Sequence, residues 1–247
     1  MAASGGKIIH SRYESGKPLG YRPSGDYGVS ITNTLTDAVP NAKKTIAICG
    51  FTAKRAGKKR HTMTVGDDFA LGLSPLWLKD IKLALAPSAG TEKTFVETVG
   101  GTGAIGVSGA GKVLVATDLP DSVGLEVDSG AAVVAADRAV GGEVRVAEGA
   151  TLEFRLADGV RPKLMTSCAV FAPGAKIVLS GTAKDVPEEG EVFKLITGSP
   201  RLDVDPAAIV CETSGDFAEN RVRLFIDADG DLAATATPKK GLLLIFR

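Results

Sequence analysis

Apolar and charged residues alternate one by one in Leu125-Glu126-Val127-Asp128, in Glu143-Val144-Arg145-Val146 and in Leu152-Glu153-Phe154-Arg155-Leu156. Period-two alternation predicts short strands with one dry face and one wet face. A shift of 19 residues lays the first segment on the second: Leu125 falls on Val144, Val127 on Val146 and Glu126 on Arg145. Glycines keep the same step, with Gly111, Gly130 and Gly149 spaced by 19 and Gly174 following after 25. Three residues past each glycine stand Leu114, Val133, Leu152 and Ile177; five past stand Ala116, Ala135, Phe154 and Leu179. A period near 20 with turn glycines predicts a solenoid, whose repeats bury their apolar faces only by stacking on one another. The expected fold is all-β, a parallel β-helix. In it Leu114, Val133 and Leu152 share one inward ladder, and Glu126 and Arg145 form an outward ion pair between neighbouring rungs. Hairpins fit the repeats less well, because no two-residue Asn-Gly or Asp-Gly turn separates them.

Less regular rungs lie upstream, at residues 45–49, 61–65, 81–85 and 94–99. Residues 34–39 read as a brief helix capped by Asn33 and ended by Pro40. The stretch 74–85 fits both a helical face and a strand; it is read as a turn leading into a strand, with Trp77 packing there. Near the C-terminus, residues 221–226 and 231–235 flank Asp227-Ala228-Asp229-Gly230, a hairpin pattern, and 241–247 is a last apolar strand. The expected organisation is a lead-in or cap over 1–30, a parallel β-helix over 31–200 and a C-terminal β cap over 201–247. Such a cap would cover the open coil edge.

Leu-Thr-Asp-Ala-Val and Lys-Thr-Ile-Ala-Ile-Cys-Gly (within 35–50), Val-Ala-Glu-Gly-Ala-Thr-Leu-Glu-Phe (146–154) and Phe-Ala-Pro-Gly-Ala-Lys-Ile-Val-Leu (171–179) resemble the right-handed parallel β-helix repeats of bacterial autotransporter passengers and adhesin-like surface proteins. The resemblance covers roughly residues 30–200. It implies a right-handed coil and an extracellular or cell-surface location, and it brings no catalytic residues with it.

An apolar content of 44% excludes a disordered chain, and 29 basic against 29 acidic residues leave no net charge to draw it to nucleic acid or an anionic membrane. No apolar run reaches the roughly 18 residues of a membrane helix, and the start lacks a hydrophobic signal region. A cytoplasmic protein and an excised piece of a longer secreted chain both fit. Cys49, Cys168 and Cys211 are too scattered for a disulfide scaffold and read as small buried hydrophobes.

Several motifs resemble chemistry. Gly101-Thr102-Gly103-Ala104-Ile105-Gly106 has dinucleotide-loop spacing, but the Gly- and Val-rich residues after it make a poor helix, so it reads as a turn between rungs. Gly106 to Lys112 approaches a phosphate loop and then has Val113 where a hydroxyl is required. The basic run 54–60, next to His61, could hold a polyanion or be a solvated loop; it has no aromatics for base stacking. Asp227, Asp229 and Asp231 open like a calcium loop, yet Pro238 stands at the closing position. His10 and His61 have no ligand or triad partner nearby in sequence. Acidic residues are numerous, but no spacing singles out a glycosidase pair.

No residue is therefore nominated as catalytic, cofactor-binding or metal-binding, and no cofactor is expected. The leading expectation is a non-enzymatic surface solenoid, a spacer or adhesin-like part of a larger exported protein, with a polysaccharide or another surface ligand as the partner to look for, no nucleic acid and no direct membrane insertion. The alternative is a carbohydrate-active β-helix enzyme, a polysaccharide lyase or hydrolase working in a groove along one sheet. A cytoplasmic assembly factor is a third reading.

Overall fold

The computed structural model describes residues 61–67, 76–186, 188–198, 201–203 and 205–238, together with five short N-terminal strands. Those are β1 (Ala3–Ser4), β2 (Lys7–Ile8), β3 (Arg12–Glu14), β4 (Lys17–Leu19) and β5 (Gly28–Ile31). The expected helix at 34–39, the rung at 45–49 with Cys49, the basic run 54–60, His10 and the last strand at 241–247 lie outside the described residues.

The described chain is a parallel β-solenoid of about five turns, as the repeat predicts. After β6 (His61–Val65), one ladder is built from β7 (Leu76–Leu85), β9 (Val99–Val107), β11 (Val123–Val127), β13 (Arg138–Val146) and β15 (Leu164–Phe171), every neighbour parallel. The intervening strands form the other: β8 (Glu92–Phe95), β10 (Lys112–Val115), β12 (Ala131–Val134), β14 (Thr151–Arg155), β16 (Lys176–Gly181) and β19 (Val210–Gly215), again all parallel. The longest strands of the first ladder serve two sides of each coil. Register breaks between Lys79 and Ile81 and between Val140 and Glu143 mark the corners. At the last coil the two sides separate into β17 (Val192–Thr197) and β18 (Arg201–Asp203), each paired with β15. Each turn thus has three legs around one apolar interior.

Inward side chains stack by register. On the second leg Ile105, Leu125, Val144 and Ala169 are successive partners, all buried. The 19-residue step holds here: Leu125 faces Val144, Glu126 faces Arg145 and Val127 faces Val146. On the third leg it slips. Leu114 does pair with Val133, but Val133 pairs with Glu153, so Leu152 belongs to a different ladder, alongside Ala132 and Ile177. The corner before β12 is Asp128-Ser129-Gly130, whereas the one before β14 is Ala147-Glu148-Gly149-Ala150. One added residue reverses the face of everything after it, because side chains alternate with period two. The inward ladders are Val113–Ala132–Leu152–Ile177 and Phe95–Val115–Val134–Phe154–Leu179. Gly130, Gly149 and Gly174 turn these corners with φ of 67°, 72° and 79°, a region that favours glycine.

Two further readings are corrected. The glycine run 101–106 lies inside β9, where the strand bends at a corner between two legs, and is not a turn between rungs. Trp77 stands in β7, which runs from Leu76 to Leu85, so the described residues read as a turn ahead of Ile81 are already strand. Both ends are finished by added strands. At the first coil β5 pairs antiparallel with β7 and β6 pairs parallel with it. At the last, β20 (Asn220–Ile226) and β21 (Leu232–Pro238) form the expected antiparallel hairpin, and β21 also pairs antiparallel with β17.

Candidate functional site

Charged side chains collect on the outer faces, and the third leg carries the largest group. Outward positions of β8, β10, β14 and β16 supply Glu92, Lys112, Glu153, Arg155 and Ser180, while small Ala131 on β12 leaves room between them. Lys112 Nζ lies 2.5 Å from Glu153 Oε2, and the Ser180 hydroxyl donates to Glu153 Oε1 at 2.7 Å. Arg155 grips Glu92 with both terminal nitrogens, at 3.0 and 2.6 Å, and lies 3.5 Å from Glu153. Although Glu153 sits on the outside of the sheet, it is only 2% exposed. The long stems of its neighbours shield it, as amphipathic side chains do.

These contacts fix the protonation of both carboxylates. Burial pushes Glu153 up, but hydrogen bonds from Lys112 and Ser180 and the charges of Lys112 and Arg155 outweigh it and hold the group below its ordinary value. The Arg155 guanidinium does the same for Glu92, against a smaller opposing effect of burial. Both are ionised at neutral pH, so neither holds the proton a glycosidic general acid must donate. Since the folded-state values lie below 4.5, their stabilisation is complete above that pH and drains away as pH falls through them. Urea midpoints measured between neutral and acid pH are expected to drop on the acid side. Glu153→Gln should be less stable at neutral pH and show a shallower acid loss. An unchanged slope would mean that the network does not set the acid limit.

On the second leg Glu126 and Arg145 are register partners as expected, and the Glu126 charge acts on Arg145, but each makes a direct contact with another partner. Lys82 reaches Glu126 at 2.8 Å and Asp128 at 2.5 Å, passing over Gly106, where a Cβ would strike its stem. Arg145 turns instead to Glu143 on its own strand, at 2.6 Å. Glu143 is the first influence on Arg145, and Glu126 across the rung adds to it.

The three aspartates of the hairpin bring their carboxylates together, with ligand atoms within 4.8 Å of one another. Lys194 Nζ sits among them, at 3.3 Å from Asp227, 2.6 Å from Asp229 and 2.7 Å from Asp231. An ammonium takes the centre that a calcium loop would give to its ion, and these bonds push the Lys194 pKa upward. The motif fastens the cap hairpin to β17.

Sequence reasoning missed one recurring device. Asp118 accepts from the Ala139 amide at 2.8 Å and Asp137 from the Lys163 amide at 3.1 Å, each tying a corner to the next coil. The two aspartates are themselves 19 apart, so the spacing that revealed the glycines could have revealed them. Cys168 and Cys211 are free and half-buried, not the fully buried hydrophobes expected. Burial pushes the Cys211 thiol up to about 12, which makes it a poor nucleophile. His61 lies in β6, and the phosphate-loop lookalike 106–112 runs from strand to strand with no helix. Comparison with protein-family models, with curated proteins and with solved structures finds no match to this chain.

Proposed function

We propose that this chain is a non-catalytic β-solenoid that serves as a rigid spacer or adhesin-like surface within a larger exported protein. The observation that supports this reading most is the reach of the outer-face ion pairs. Lys82 of β7 bridges to β11, two coils on, and Arg155 of β14 reaches back to Glu92 of β8, three coils away. Such links bind non-adjacent coils, where a solenoid otherwise relies on nearest-neighbour stacking. A stiff stack whose coil-spanning charges pair with one another suits presentation or spacing better than turnover. The resemblance to passenger-like repeats supplies the surface location in this proposal.

A panel of acidic and neutral polysaccharides incubated with the purified chain tests it, with both cleavage and binding recorded. The expected result is no cleavage of any member. Turnover abolished by a single Asp or Glu substitution would overturn the proposal and establish the carbohydrate-active alternative.

A further inference from the structure

Two independent observations on the cap hairpin point to a partner. The first is an open edge. β20 stands at the end of its sheet, paired on one side with β21 and, among the described residues, hydrogen-bonded to no second strand, with β19 and the turn Pro206–Ala208 nearby. The second is its charge. Many cations of the coils meet a carboxylate, Lys82, Lys112, Lys176, Lys194, Arg145 and Arg155 among them, while Lys184 and Arg138 meet none among the described residues. Arg221 and Arg223 on β20 are exposed and meet none among the described residues. They alternate with Val222 and Leu224, which pack against the core, so both arginines stand on one face beside Thr237 and Thr235.

We infer that the edge of β20 is a docking site for an extended acidic peptide, which adds to the sheet as a further strand. The peptide backbone would pair with the N–H and C=O groups of β20 that, among the described residues, face no other strand, the recognition mode known as β-augmentation. Carboxylates at alternate peptide positions would lie across from Arg221 and Arg223, and apolar residues between them would extend the face formed by Val222 and Leu224. Cross-strand neighbours in a sheet lie close enough for such pairs to form. The same two arginines discourage the competing occupant: a second copy of β20 would bring arginine against arginine, the charge-based protection that exposed edges use against self-pairing. An edge that repels its own kind and attracts acid selects its partner by sign. This holds whether or not the solenoid is a spacer.

The test titrates the full chain against a fluorescent synthetic peptide alternating glutamate and valine, read by polarisation at several salt concentrations. Saturable binding that weakens with salt is expected. Arg221→Glu/Arg223→Glu, with thermal unfolding unchanged, should weaken it roughly tenfold or more, and a lysine–valine peptide should bind this variant in its place. The acidic peptide N-methylated on alternate amides should not bind, since its edge can no longer pair. If the double variant is unstable, Arg221→Gln and Arg223→Gln singly should each weaken binding. Absence of binding would overturn the inference. So would equal binding of the N-methylated peptide or of a heparin fragment, which would reduce the arginines to a general polyanion contact.

Discussion

Phe154→Ala is expected to lower the unfolding free energy by about 3–5 kcal/mol, the range for emptying a buried aromatic site. Phe154 is fully buried and stands between Val134 and Leu179 in a ladder that begins at Phe95. Its backbone is hydrogen-bonded to the strands on both sides, at a spacing of about 4.8 Å set by the ladder itself. The coils cannot close over the void without breaking those bonds, so little relaxation offsets the loss. The comparison that gives this meaning is Leu114→Ala. Leu114 sits three residues past Gly111, as Leu152 does past Gly149, yet it lies on the outer face and is half-buried. Its truncation should cost about 1 kcal/mol. Urea unfolding followed by far-ultraviolet circular dichroism measures both. Equal losses at the two positions would contradict the assignment of faces on the third leg.

The same pair of residues shows how much of the fold is legible in the sequence. On the second leg the step of 19 predicts Leu125 against Val144 and Val127 against Val146, and these are the partners observed. A residue-by-residue offset works there because the intervening segments have equal length. It fails at Leu152, because a single residue added at the corner before β14 reverses the faces. A periodicity in sequence counts residues along the chain, whereas the fold matches faces across it. The two agree only while every corner has the same length.

The charged network was less legible, for a different reason. Alternation identifies Glu126, Arg145, Glu153 and Arg155 as outward positions, but not their partners. Lys82 and Arg155 have stems long enough to cross coils, and Gly106, with no side chain of its own, gives the Lys82 stem passage. Partner choice therefore depends on which neighbours lack side chains, a property of stacked coils and not of any one repeat. The hairpin at Asp227–Gly230 was readable because a tight turn is local. The lysine that fills its acidic loop lies on β17, 33 residues before Asp227 in sequence, and only the folded sheet brings it there.

The glycine run that resembles a dinucleotide loop leads to the second large effect. Gly101 lies in β9 at a φ of 85°, next to Leu78 in β7. A Cβ added there would drive into the Leu78 carbonyl, which is backbone and not the movable end of a side chain. Leu78 cannot easily retreat, because it pairs with Val29 on its other side and its own side chain is fully buried. Gly101→Ala therefore carries both the penalty of a left-handed conformation, about 1–2 kcal/mol, and a collision between two paired strands. Gly149→Ala separates the two contributions, since Gly149 has a φ of 72° but open space where its Cβ would stand. Gly149→Ala should cost about 1 kcal/mol and Gly101→Ala about 3 kcal/mol or more, with the difference reporting the collision alone. Thermal or urea unfolding of the two variants side by side decides the matter. Equal destabilisation would mean that β7 and β9 can move apart at this corner. A markedly larger loss at Gly101 would show that these glycines are there to let two strands approach while the chain turns from one leg to the next.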